Sequence, residues 1–490
     1  MKKFRVLLAV LAVVFTATVG FTGCKFKKNV SEDAHMKAMI AKMNLNADEN
    51  YEGNLTVWAQ SKSTEVAAVQ SFINSFKEKY PKIKVTLATY SPADYIQKVK
   101  NDAAAAEYNG KYENMPDVFW LANESIPSLV TQNVVAPINF IDDKDDSFST
   151  KALVDTMVED SKFGGNMYMM PRDYNQFVLY YNKWLVNKYG ISMPDSDVAI
   201  SREEFEDLAA QFHTKMTSNP TATPTGGNTS AGQVLDVSWG WPSMAYGMLR
   251  MFGGGVTDSN GNVIFDGEGN YNALKWIKET VIKGWSPTIG ADNLSVKFKL
   301  YEVPFLIDTR ATFMDIVENA TVSHPMNDDI GVMPLPVFDT EENYAIGAGC
   351  SGYAMYYNAV HPTEAWLFLK HVVSKEGQNA YGKTGNSVPV LKSLIDDDDA
   401  EWRNLEFGGR KLSADFNHDA FVYKYDTNSC TMAEFKSAIP AGAVARVAGC
   451  MATGVSNAVK NTTAGNYIKS IQSAIDTQAK IMRQEIKNKK

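Results

Sequence analysis

The chain has 490 residues, 45% of them hydrophobic and 11% aromatic, with a formal net charge of −8. That length allows two or three units, each able to bury a sizeable core, and the composition is that of a globular rather than a disordered chain. The acidic balance argues against nucleic acid or an anionic membrane surface as the ligand, and the 4 cysteines and 6 scattered histidines offer neither a disulfide framework nor zinc-ligand spacing.

Lys2, Lys3 and Arg5 precede an apolar run from Val6 to Val19, and Phe21-Thr22-Gly23-Cys24 follows. A basic start, a short apolar stretch and small residues before a cysteine make a cleaved secretory signal, too short to span a membrane. The Gly23-Cys24 junction resembles a bacterial lipoprotein signal. That resemblance implies a leader over 1–23 and acylation of Cys24 as the new first residue, with Phe21 departing from the usual Leu. No later apolar stretch approaches about 18 residues, so the acyl chain would be the sole membrane attachment. Residues 24–53 read as lipid anchor and polar tether, with a short helical pattern over 34–43.

Order begins with a strand at Leu55-Thr56-Val57-Trp58. A helix follows with Val66, Val69, Phe72, Ile73 and Phe76 on one face, stopped at Tyr80-Pro81. Residues 83–87 alternate as a strand, 95–106 form a helix, and Asp117-Val118-Phe119-Trp120 is a short buried strand. Such alternation signals an α/β domain with a largely parallel sheet. The pattern restarts after Gly164-Gly165 with strands at 167–170 and 177–181. Ser201 and Glu204 form a capping box opening a helix, and further helices cover 272–282, 365–373 and 464–490. The acidic run 396–399 reads as a solvated loop. Of Cys350, Cys430 and Cys450, at least two are expected as buried free thiols, with Cys430 and Cys450 the pair if one exists.

The most specific pattern is Gly164-Gly165-Asn166-Met167-Tyr168-Met169-Met170-Pro171, then a strand into Tyr180-Tyr181-Asn182-Lys183, Leu185 and Lys188-Tyr189-Gly190. Around it, in order, stand Asp117–Trp120, Trp241-Pro242, Phe252-Gly253-Gly254, Asn260-Gly261, residues 330–336 and 347–353, and His361-Pro362-Thr363-Glu364-Ala365-Trp366. This ordered set resembles the family 1 extracellular solute-binding proteins, the carbohydrate-capturing subunits of ABC importers related to maltose-binding protein, over about residues 54–480. The resemblance implies an α/β, two-lobe periplasmic-binding-protein fold (type II-like) with multiple hinge crossings and a ligand cleft that closes between the lobes. It implies a first lobe of 54–163 plus 307–358 and a second of 164–306 plus 359–490. It further implies no enzyme activity and no cofactor or metal. The partners would be a carbohydrate and an ABC importer permease, and the protein a monomer on the outer face of the cell membrane in a Gram-positive-type envelope. One segment departs from the pattern: residues 302–310 stand where the family usually carries Gly-x-x-Ala-Met before a returning strand.

A pyranose has apolar C–H faces and a belt of hydroxyls that donate and accept, so its receptor needs aromatic platforms flanked by short polar groups. Three segments offer that pairing: Trp58 with Gln60, Trp120 with Asn123 and Glu124, and Trp239 and Trp241 close to Asp236 and Ser238. Loops at the carboxyl ends of strands are where open α/β sheets bind ligands. By resemblance, Trp58, Trp120, Asn123, Trp239 and Trp241 fall at or beside sugar-contacting positions, and Asn175 where a contacting carboxylate is common. Trp184, Trp276 and Trp366, on helical patterns, are expected in the core, and Trp241 could instead wedge the hinge. Asp308 and Arg310 read equally as a cleft pair or a structural ion pair. Two other functions suit an exported chain: the same fold taking a peptide, polyamine or metal complex, or a surface glycoside hydrolase, for which no convincing carboxylate pair stands out. Gly377-Gln378-Asn379-Ala380-Tyr381-Gly382-Lys383-Thr384 matches the P-loop expression, but an amphipathic helix precedes it where a P-loop needs a buried strand.

Overall fold

A computed structural model describes residues 33–289, 296–317, 326, 328–407, 410–412, 415–460 and 466–489. The leader, Cys24 and the start of the tether lie outside them. Two sheets of opposite lobes are joined by a third. In the first sheet the strand order is Ile83–Tyr90, Gly53–Gln60, Val118–Ala122, Ser351–Met355, Met170–Pro171. Its first three strands are parallel and its last two antiparallel. The second sheet runs Ile330–Pro334, Val178–Asn182, Phe305–Asp308, Leu235–Val237, with only its last pair parallel.

The joining sheet is built from the hinge itself, in the order Val388–Pro389, Asp173–Gln176, Ile346–Gly349, Ser429–Cys430. Outgoing Asp173–Gln176 lies antiparallel to returning Ile346–Gly349, in the register Ala348 to Gln176 and Gly349 to Asn175. Buried charges hold the crossing: Arg172 reaches Glu65 at 2.7 Å and Asp173 at 3.1 Å, and Asp173 also accepts from the Ser351 amide and the Tyr381 hydroxyl.

This topology corrects the expected lobe boundaries. The chain leaves the first lobe at Asp173, not at 164, because Met170–Pro171 still pairs with Ser351–Met355. Phe305–Asp308 and Ile330–Pro334 both pair with Val178–Asn182, so these strands belong to the second lobe although the 307–358 block was assigned to the first. Conversely Pro362–Val372 and Lys375–Gly382 pack on the helix Ser63–Lys79 of the first lobe, not with the second.

Part of the segment expected as tether is packed on the first lobe. Asp33 caps the helix Ala34–Ile40, which buries Met36 and Met39 on the first lobe. His35 stacks on Tyr357 at 4.5 Å, and the Tyr357 hydroxyl donates to Asp33 at 2.8 Å. Two helices legible only in part close the other end. Ala441–Lys460 and Tyr467–Lys489 pack on each other and on Glu268–Ile282, burying Val447, Met451 and Val455 of the first and Ile471, Ile475 and Met482 of the second, spaced at four and seven residues. Each such burial stabilises by about 1.5–3 kcal/mol. The Ser201–Glu204 capping box forms, with Ser201 Oγ accepting from the Glu204 amide at 3.2 Å and Glu204 Oε2 from the Ser201 amide at 2.8 Å. The P-loop look-alike lies largely within the helix Lys375–Gly382. A Cβ on Gly377 would sit 2.0 Å from the His371 carbonyl oxygen, so that glycine serves helix packing. Among the described residues no helix is long and apolar enough to cross a membrane, and Cys350, Cys430 and Cys450 are buried and free.

Candidate functional site

Where the three sheets meet, the lobes enclose a cavity of 240 Å³. The first lobe supplies Trp120 and Ala122 from the strand Val118–Ala122, Asn123 and Glu124 just beyond its end, and Cys350 and Ser351. The second supplies Phe177, Trp241, Ser243, Thr309 and Ala311, and the crossing strands add Asn175 and Gly349. One close approach sets the second wall. A Cβ on Gly247 would lie 2.7 Å from the Gly347 Cα, so only glycines let the helix Pro242–Met251 press onto the crossing strand. Its N-terminal residues Trp241 and Ser243 are thereby brought to the cavity. The Trp241 ring stands edge-on to Phe177 at 5.0 Å.

Five expected residues converge here: Trp120, Asn123, Glu124, Asn175 and Trp241. Three polar atoms on lining residues are buried with no protein partner: Trp120 Nε1, Asn175 Oδ1 and Thr309 Oγ1. Such orphans are rare and costly in a folded protein unless something else pairs with them. Asn123 donates from Nδ2 to the buried Asp160, whose carboxyl is pushed up to about 6 by burial. The lobes touch at two further points, Ser243 Oγ donating to Glu124 Oε1 at 3.4 Å and Lys62 standing 3.3 Å from Asp315.

The other five expected residues do not line this cavity. Trp58 is buried, its ring against Tyr90 at 4.9 Å and under Lys98 at 5.3 Å, so its faces already have partners. Gln60 ends the same strand, half-buried. Trp239 is 1% exposed, donates Nε1 to Ser286 at 3.2 Å and meets Trp276 edge-on at 6.0 Å, so it is a core residue. Arg310 turns away from Asp308 because it opens the 3-10 turn Arg310–Thr312. It is fully buried, donating to the carbonyls of Gly385 at 2.9 Å and Trp402 at 3.1 Å, with Phe313 4.2 Å from its guanidinium. Burial holds its guanidinium down to about 10 and pushes the Asp308 carboxyl up to about 6. The two form neither a cleft pair nor an ion pair.

Sequence reasoning missed Phe177, Ser243, Thr309 and Cys350. The signal for Ser243 was Trp241-Pro242, a helix start aimed at the hinge. For Cys350 it was its place between two strands of different sheets. Burial pushes the Cys350 thiol well up, so it meets the cavity as a neutral, inert group.

A family model described as bacterial extracellular solute-binding protein matches residues 60–379. Over 389 residues the chain is 23% identical to the maltodextrin-binding protein MdxE of Bacillus subtilis (strain 168), covering 78% of this chain and 80% of that protein. Among solved structures it is similar to the GacH receptor of Streptomyces glaucescens GLA.O (TM-score 0.68, 18% identity, 90% of this chain and 100% of that one). It is also similar to UgpB from Mycobacterium tuberculosis in complex with glycerophosphocholine (TM-score 0.66, 16% identity, 89% and 99%). At those identities the structural likeness establishes the two-lobe fold. The first two of these are a binding protein and a receptor, and with a family match over more than half its length the chain belongs to the bacterial extracellular solute-binding proteins.

Proposed function

We propose that the protein is a lipid-anchored extracellular receptor that captures an oligosaccharide between its lobes and delivers it to an ABC importer permease. The observation that carries this reading is the lining of the cavity, where the Trp120 and Trp241 rings of opposite lobes stand with the polar side chains of Asn123, Glu124, Asn175, Ser243 and Thr309. A sugar hydroxyl both donates and accepts, so it suits such a mixed polar set, and the two rings offer surfaces for C–H faces. The maltodextrin-binding relative and the acarbose complexes of the GacH receptor point to the same ligand class. UgpB shows that this fold also takes a phosphodiester. Among the described residues the cavity is lined by one carboxylate, Glu124, and by no lysine or arginine, so a phosphate would find no counter-charge among them. At 240 Å³ the cavity is smaller than the roughly 300–1,000 Å³ of ordinary ligand sites, so an oligosaccharide enters with the lobes parted about the Asp173–Gln176 hinge.

The test is the melting temperature of the mature protein against maltose through maltohexaose, with glycerophosphocholine as control. A ligand at a hundredfold its Kd stabilises by about 2.7 kcal/mol, which is a readable rise in midpoint. A rise with glycerophosphocholine alone would overturn the sugar reading. Mass spectrometry of the mature N-terminus should find Cys24 diacylated; an unmodified Cys24 would leave a freely secreted receptor.

A further inference from the structure

Asn123 and Glu124 are neighbours, yet each is tied to the second lobe by its own route, and the two routes meet on one helix. Glu124 accepts from Ser243 in the first turn of Pro242–Met251. Asn123 donates to Asp160, which ends the helix Asp155–Asp160 and is 1% exposed. Lys436, 8% exposed, brings its Nζ to 3.9 Å from Asp160 Oδ1. It lies on the short helix Ala433–Ala438, where Glu434 accepts from Tyr246 at 2.7 Å and Arg250 at 2.8 Å, both on Pro242–Met251. These contacts form a closed circuit that starts and ends on cavity-lining residues, with two buried opposite charges in it, neither of which lines the cavity.

A carboxylate can only accept, so an ionised Asp160 fixes which end of the Asn123 amide faces it. The nitrogen is turned inward. The Asn123 oxygen, which has no protein partner among the described residues, is left as the atom this cavity-lining side chain can offer. We propose that Asp160 and Lys436 are positioning residues for ligand capture, holding Asn123 so that it presents a hydroxyl acceptor and registering that acceptor against the second lobe through Ala433–Ala438. Without Lys436 the buried carboxylate would lack its counter-charge and take up a proton. A protonated Asp160 could donate to the Asn123 oxygen instead and invert what the cavity offers. This inference rests on the oligosaccharide reading for its ligand, not for its geometry.

Removing one partner of a buried pair leaves an uncompensated charge and can unfold the protein, whereas replacing both is often neutral. The informative variant is therefore D160L/K436M, compared with N123A and the triple variant. Calorimetry with maltotetraose is expected to show D160L/K436M about tenfold weaker than wild type. The triple variant should be no weaker than N123A, because both changes remove the same contact. D160N/K436M, whose amide oxygen can again accept from Asn123, should recover part of the loss. A second readout needs no ligand: the Asn123 side-chain amide protons in a 15N-edited spectrum should be slow to exchange in the wild type and fast in D160L/K436M. Equal exchange in the two proteins overturns the positioning role, as do unchanged affinity or losses that multiply in the triple variant. If the wild type binds no glycan, the oligosaccharide reading fails while the exchange comparison still decides the role of Asp160.

Discussion

The two walls of the cavity do similar work with different materials. The first-lobe wall is a strand end backed by buried charge: Trp120 and Asn123 stand on or just past Val118–Ala122, and Asp160 with Lys436 lies behind them. The second-lobe wall is a helix N-terminus pressed onto a crossing strand, where Trp241 leans on Phe177 and small polar residues fill the rest. Strands in register place side chains to within narrow limits, so a wall built on one can present a directed hydrogen-bonding group. A wall built on a helix end at a glycine contact offers surface rather than direction. On the proposed sugar reading, the first wall supplies polar groups held by a strand end, and the second adds the Trp241 ring as stacking surface beside the Ser243 and Thr309 hydroxyls.

The largest expected effect separates two tryptophans two residues apart. Trp239 is packed against Trp276 and hydrogen-bonded to Ser286, so W239A leaves a cavity in the core of the second lobe and should cost about 3–5 kcal/mol of stability. Trp241 is only half-buried, so W241A should change stability by less than about 1 kcal/mol while weakening glycan affinity about tenfold. Urea unfolding and calorimetry on the two variants read this directly. The assignment of stacking to the second wall would be sunk by a W241A protein that is destabilised but binds normally.

That pair also marks how far the sequence could be read. Trp120, Asn123 and Glu124 follow from a strand and the turn after it, which set direction locally, whereas Asn175 rests on the family resemblance alone, its strand Asp173–Gln176 leaving no mark in the periodicity. Trp239 and Trp241 sit in a turn and at a helix cap, where the direction of each ring depends on what packs there from elsewhere in the chain. Trp58 was misjudged for the same reason: its strand was legible, but Tyr90 and Lys98 occupy its faces. The lobe boundary failed because Phe305–Asp308 pairs with the distant Val178–Asn182, and hydrophobic periodicity marks a strand without naming its partner. Asp160 and Lys436 carry no local signal at all, since an acidic residue ending a short helix reads as solvated until the fold buries it.

Both walls rest on carboxyls that burial pushes up to about 6, Asp160 behind the first and Asp308 and Asp236 in the second sheet. Such groups bind a proton more tightly in the fold than in the unfolded chain. The stability they remove above pH 6 therefore returns as pH falls from 6 toward the ordinary 3.8. Two imidazoles act in the opposite sense: burial holds His371 down to about 4 and His418 to about 2, so the unfolded chain takes their protons first and stability falls below pH 6.5. Each group contributes at most about 1.4 kcal/mol per pH unit. Asp142, outside the walls, is likewise pushed up to about 6 by burial. Four carboxyls outweigh two imidazoles, so urea midpoints should rise from pH 6 to 4.5. Removing one carboxyl, in D160N/K436M for the first wall or D308N for the second, should make that rise smaller. If only one of the two variants responds, the walls differ in buried charge as well as in geometry. A steep acid loss in the wild type would show that these carboxyls are better solvated than their burial implies.

The smallest effect tests whether the walls or a contact outside them holds the lobes together. Lys62 and Asp315, outside the cavity lining, stand 3.3 Å apart, but their side chains are 48% and 28% exposed. An exposed pair of that kind contributes less than about 1 kcal/mol and is screened by salt. K62A should therefore change glycan affinity by less than about fivefold, and wild-type affinity should be nearly the same at about 0.1 M and 1 M salt. A loss of tenfold or more in K62A, disappearing at high salt, would mean that closure is secured outside the cavity lining. The stacking assigned to Trp241 would then be a consequence of closure rather than a cause of it, and the contrast between a directing wall and a passive one would have to be redrawn around the latch.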